Sequence, residues 1–200
     1  WYLLPVIALL IFLAYTAWHF GQADFEIWKW RSGFKSFFWG SLVLALILGS
    51  HWLETNQILN QMGIEIPKYF DFSFDFSQTI TGLLAILGLL LLFTRSFFSR
   101  IIETIIVLIL GVWLPLLPAF VCYFVFQHSL HGWLHLREKL KLNHQKMWLQ
   151  ALPFTLGALG LFGAYLYLIQ EPNWGQVFIF LSALSFPHVY YMHKSYQKPH

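Results

Sequence analysis

Charge is what this chain of 200 residues has least of: 12 Lys and Arg with 9 Asp and Glu make up 10% of it, against about 25% in an ordinary soluble domain. With 58% hydrophobic and 20% aromatic residues, a water-exposed surface would carry large apolar patches, so the deficit points to lipid as the solvent. Cysteine is nearly absent. Cys122 is the single one, which excludes an internal disulfide and a thiolate metal cluster and leaves His, Asp and Glu as the possible metal ligands. There is no dense basic run behind the formal net charge of +3, which removes nucleic acid as a partner. The start, apolar from Tyr2 onward, lacks the charged region and small-residue cleavage site of a signal peptide. Because it opens on Trp1 without an initiator Met, part of the native N-terminus is expected to precede it. No internal repeat or low-complexity segment divides the chain, and residues 1–200 read as one transmembrane domain.

What is there is a succession of apolar stretches, at roughly 2–20, 37–53, 79–94, 101–114, 119–136, 151–169 and 175–193. The expected fold is all-α, a polytopic membrane helix bundle of about seven transmembrane helices. A crossing needs about 20 residues, and the third and fourth stretches fall short. Pro115 and Pro118 between the fourth and fifth mark a turn between antiparallel helices; read as one bent element instead, they would reduce the count to six.

Charge asymmetry orients the bundle, since cytoplasmic loops collect Lys and Arg. Lys29, Arg31, Lys35, Arg95, Arg100, Arg137, Lys139, Lys141, Lys146, Lys194 and Lys198 fall after the first, third, fifth and seventh stretches, and Lys68 alone falls on the other side. The expected placement is therefore an integral protein of the bacterial inner membrane, C-terminus cytoplasmic and Trp1 outside. The longest connection, 56–77, contains Tyr69, Phe70, Phe72, Phe74 and Phe76 alternating with polar residues, a pattern suited to lying flat at the outer interface.

Nine histidines are many for so apolar a chain, and polar groups at membrane depth are costly enough to point to function. In this topology His19, His128, His131, His135, His188 and His193 gather toward the cytoplasmic side. His128, His131 and His135 are spaced by three and four residues, one stripe of a helix with about 3.6 residues per turn. An i, i+4 pair can grip one metal, and histidines from the first and last stretches would complete a nitrogen site suited to iron, copper or zinc. Asp24 and Glu138 lie close to histidines in sequence, and a carboxylate commonly orients a ligand through its second ring nitrogen; Asp24 is the candidate for that role. A lone interfacial histidine is more often a hydrogen-bonding group than a ligand, whereas three on one stripe have no packing explanation. His51, His144 and His200 are expected to be solvated. The 21 Phe and 10 Trp would suit a long conjugated ligand, although lipid-facing Phe and interfacial Trp explain them as well.

Trp18-His19-Phe20-Gly21-Gln22-Ala23-Asp24, Gln127-His128-Ser129-Leu130-His131-Gly132-Trp133-Leu134-His135 and Phe186-Pro187-His188, in this order and spacing, resemble the motifs of the Brp/Blh family of microbial β-carotene 15,15'-dioxygenases over nearly the whole chain. The resemblance implies a multi-helix membrane enzyme that uses histidine-bound Fe(II) and molecular oxygen to split β-carotene at its central double bond into two molecules of retinal, with a functional link to a microbial rhodopsin. It implies His19, His131 and His135 as ligands, His128 as a competitor for that role, and His188 as a ligand or pocket residue. The family pattern also has an earlier helix with a His-Gly-type motif, so a helix before Trp1 or a replaced fourth ligand is implied.

Four other classes fit less well. A membrane diiron hydroxylase or desaturase uses His-x-x-His-His pairs, and no two histidines are adjacent here. A haem-binding electron carrier could use His19 and His188 but leaves the central triplet without a purpose. A retinal-binding receptor or pump needs a lysine within the membrane for its Schiff base, and Lys194 lies past the seventh stretch. A scaffold would use the histidines as interhelical hydrogen-bonding groups.

Overall fold

The computed structural model describes residues 1–28, 33–66, 82, 111–169 and 173–197, and all regular structure among them is helical. Pro5 opens α1 (Pro5–Ile27), where its missing N–H costs nothing and its fixed φ suits a first turn. The helix continues through Gln22, Asp24 and Glu26, past the apolar stretch that ends at 20, because these polar side chains turn inward toward other helices. α2 (Phe34–Ser50) returns alongside it. At His51 the chain bends by 93° into α3 (Trp52–Gln61). α3 contains the start of the connection expected to lie flat; residues 67–77 of that connection are outside the described residues.

After the helical residues 111–113 and a break at Leu114-Pro115, α4 (Leu116–Cys122) passes directly into a π-helical segment (Tyr123–Ser129) and then α5 (Leu130–Leu140). The junction residues Tyr123, Ser129 and Leu130 all keep right-handed helical angles, so 116–140 is one continuous rod. Lys141, with φ of 51°, ends it. Asn143 caps α6 (His144–Leu168), its side chain accepting from the Lys146 N–H at 2.9 Å as a helix N-cap does. α7 (Trp174–Gln197) closes the described chain.

α1 is the hub. Against α2 it packs backbone to backbone: a Cβ on Gly21 would lie 1.6 Å from the Ser36 carbonyl oxygen, and one on Gly40 1.9 Å from that of Ala17. Ala17 with Gly21 and Ser36 with Gly40 are small residues four apart on facing helices, the arrangement by which helices approach closely in lipid. The pairing is antiparallel. On its other sides α1 runs parallel to its neighbours, Phe20 meeting Tyr123 and Asp24 meeting His131 on the rod, and Tyr15 bonding to Ser182 and Ser185 on α7. These directions are those of alternate crossings in the expected topology. His51 and Glu54 meet the Leu114 carbonyl and the Leu116 N–H, so the described chain on both sides of 67–110 lies at one end of the bundle.

Among the described residues two helices, Pro5–Glu26 and His144–Leu168, are long and apolar enough to cross a membrane, and the bent pair α2 and α3 adds a third if it counts as one span. Seven was expected. The third stretch apart from Gly82, and 101–110 of the fourth, are outside the described residues, while α7 and the 116–140 rod carry the histidines, serines and glutamine that dilute their apolar character. His51, expected to be solvated, is 9% exposed: its ring turns back to the carbonyls of Ile47 and Leu114 at the bend.

Candidate metal centre

The rod turns a straight stripe of side chains toward α1. Ala119, Tyr123, Gln127, His131 and His135 are all buried, at intervals of four residues. On a regular α-helix of about 3.6 residues per turn such a stripe drifts around the rod. The wider turn of the π segment reverses part of that drift, and it also buries His128 next to Gln127. π-helical turns of this kind recur at functional sites.

His128 meets His19 of α1 with ring centroids 4.7 Å apart, and His19 meets His188 of α7 at 5.2 Å. One ligand nitrogen from each of the three can be chosen so that all lie within 4.8 Å of one another. Among the described residues this is the one group of three metal-ligating side chains so close together. Both ring nitrogens of His19 and Nδ1 of His128 are buried with no hydrogen-bond partner. Leaving buried polar atoms unpaired is costly, and a cation on the imidazole lone pairs would remove that cost. Three neutral imidazoles suit iron, copper or zinc. Three ligand atoms this close together suit one compact ion, whereas a haem with His19 and His188 as axial ligands would give His128 no role.

His131 and His135 stand outside this trio and face carboxylates of α1 instead. His131 Nδ1 lies 3.0 Å from Asp24 Oδ1, and His135 Nδ1 lies 3.8 Å from Glu26 Oε1. Asp24 is fully buried. Its Oδ2 accepts from Trp39 Nε1–H of α2 at 2.8 Å, from Gln127 Nε2–H at 2.9 Å and from the Tyr123 hydroxyl at 3.4 Å. One carboxylate thus ties α1 to α2, the π segment and α5. His193, five residues beyond His188, meets Gln22 Oε1 through Nδ1 at 3.1 Å, and exposed His144 sits beside Arg137 and Trp133.

The surroundings of the trio are aromatic. Phe20 and Phe124 approach the His128 ring at 4.7 and 5.3 Å. His19 and His128 are buried, and His188 is exposed on the bundle surface, so the cluster opens sideways.

The sequence profile of the family described as Beta-carotene 15,15'-dioxygenase matches residues 1–195. The chain belongs to this beta-carotene 15,15'-dioxygenase family. Membership implies an oxidoreductase of the dioxygenase kind and a carotenoid substrate, in accord with the resemblance carried by the three histidine motifs. No curated relative and no solved structure matches significantly. Trp39, Tyr123 and Gln127 of this dioxygenase-family chain were not singled out by sequence. Gln127 had a signal, since it opens the histidine motif, but Trp39 reaches Asp24 only because Gly21 and Gly40 bring α1 and α2 together.

Proposed function

We propose that the chain is a membrane-embedded dioxygenase that cleaves β-carotene at its central double bond with O2, using Fe(II) held by His19, His128 and His188. The observation that supports this most is the trio itself, with the ring nitrogens of His19 and Nδ1 of His128 buried and unpaired, in a chain of this family. Bound Fe(II) would supply the electrons that let O2 react with an alkene.

The rest is the work of the chain. His131 is the next ligand candidate along the rod: donation of its Nδ1–H to Asp24 leaves the lone pair on Nε2, the tautomer a metal ligand needs. His135 follows one turn later, steadied by Glu26. Phe20 and Phe124 cover His128 and keep water from the reacting bond. The double bond breaks, each of its carbons takes one oxygen atom of O2, and two molecules of retinal leave. No proton is taken up or released, so Asp24 serves to position groups and not to carry protons.

The placement proposed with this chemistry is the bacterial inner membrane with the C-terminus cytoplasmic, and retinal delivery to a microbial rhodopsin is its proposed use. Purification in detergent without oxygen, metal quantification, and then addition of Fe(II), O2 and β-carotene test the reading. Iron near one per chain with retinal formed is the expected result. Absence of metal under every loading condition would overturn it.

A further inference from the structure

The histidine trio lies at one end of a seam. Its floor is α1, with His19 and Phe20; one wall is the rod, with Phe120, Phe124 and His128; the other is α7, with Phe178 and His188. Phe120 and Phe124 stack with centroids 6.0 Å apart and planes at 12°, and Phe120 meets Phe178 edge to face at 6.4 Å. Phe20 lies beneath both rod phenylalanines at 6.5 Å. An unbroken row of rings therefore runs Phe178, Phe120, Phe124, His128.

The row is open to the side. Phe124 is 42% exposed while Phe20 beneath it is 3% exposed, and His188 is exposed at the far end. From Phe178 to His188 along α7 is ten residues, about 15 Å of helix and half the roughly 30 Å hydrocarbon thickness of a bilayer. The row leads toward the ends of the rod and α7 that begin on the outer side. A flat conjugated chain lying along it would meet the aromatic rings by dispersion and could enter from lipid without crossing water.

We propose that the row Phe178, Phe120 and Phe124 is a binding groove for one arm of the carotenoid polyene, and that its length from the histidine trio selects which double bond is cleaved. The inference rests on the dioxygenase reading above for the cleavage step, but binding to the groove does not require the metal. A carotenoid is the occupant because the chain's family acts on one and the row ends at the trio. Bulk lipid would cover the same surface without needing a continuous row of rings.

The test uses the whole chain in detergent, stripped of metal and titrated with β-carotene, reading tryptophan quenching and the shift of the polyene absorption band. Phe120→Ala and Phe124→Ala are expected to bind about tenfold more weakly, as loss of one aromatic contact of roughly 1.4 kcal/mol requires. With iron and O2 they should release apocarotenals of unequal length beside retinal. Phe124→Leu, which keeps an apolar side chain but no ring face, guards against a folding defect and should behave in the same direction. Phe154→Ala, on the exposed face of α6, is the control and should match the parent. Equal binding by all variants, no binding by the parent, or equal weakening in the control would each overturn the groove. Parental binding and retinal formation in the Phe variants would overturn it while leaving the dioxygenase reading intact; groove-dependent binding without iron uptake would do the reverse.

Discussion

His131 Nδ1 faces Asp24 Oδ1 at 3.0 Å, although 107 residues separate the two in the chain. The same carboxylate takes hydrogen bonds from Trp39 and Gln127 through its other oxygen. Because Gln127 precedes His128, whatever disturbs Asp24 disturbs the segment that carries a member of the trio as well as the tautomer of His131. The centre is thereby coupled to the packing of three other segments on α1.

Asp24→Asn is isosteric but brings an amide N–H into a place where four donors converge, so at least one donor loses its acceptor. Metal affinity is expected to fall about 10–100-fold, as it does when a ligand's orienting partner is lost. Titration with Co(II), followed by its ligand-field spectrum, reads this without turnover. A spectrum and affinity equal to the parent's would show that Asp24 has no influence on the site.

The contact of α1 with α2 sets the position of Trp39. Gly40→Ala puts a methyl group 1.9 Å from the Ala17 carbonyl oxygen, and helix backbones must separate to admit it. Overpacking of this kind costs about 1–3 kcal/mol, so the melting temperature in detergent should fall. Gly157→Ala in α6 meets nothing within 4 Å and should hold or raise it, since Ala is favoured over Gly by up to about 1 kcal/mol within a helix. Equal melting temperatures for the two variants would contradict the close approach.

Among the described helices hydropathy located α1, α2, the rod, α6 and α7 but not α3, and it did not give their ends. The first stretch closes at 20 and the sixth opens at 151, whereas α1 continues to Ile27 and α6 begins at His144. The missing turns carry Gln22, Asp24, Glu26, His144 and Lys146, polar residues that a helix accommodates when they face another helix or a membrane surface. The histidines were legible as a group because polar side chains stand out in so apolar a chain. Their division was not: a regular helix puts His128, His131 and His135 on one stripe, and the π segment that sends His128 to His19 while His131 meets Asp24 leaves no mark in the residue pattern. The small residues Ala17, Gly21, Ser36 and Gly40 did carry a readable spacing for the close approach, but nothing in it tells which helix α1 would choose.

Single substitutions of the trio separate metal binding from folding. His19→Ala, His128→Ala and His188→Ala should each abolish stoichiometric iron and retinal formation, while metal-free melting temperatures stay near the parent's for His188→Ala, whose ring is exposed, and hold or rise for His19→Ala and His128→Ala, which remove buried imidazoles with unpaired nitrogens. His131→Ala is expected to lose retinal formation with the fold intact. His144→Ala, exposed at the start of α6, should retain metal and activity. Full iron content in any trio variant would remove that residue from the ligand set.

His51 tests the distinction between a structural and a ligand histidine. It stands at the bend between α2 and α3 with its ring nitrogens facing the carbonyls of Ile47 and Leu114, joining the end of α2 to the turn that precedes the rod. A neutral ring has one N–H to give, so His51→Ala leaves one of these carbonyls without its donor in a buried place, a loss of about 1–3 kcal/mol. The melting temperature should fall, and iron per folded chain should stay unchanged, since the ring makes its bonds at the opposite end of the rod from His131. A drop in iron content with unchanged melting temperature would reverse the assignment and make His51 part of the metal chemistry.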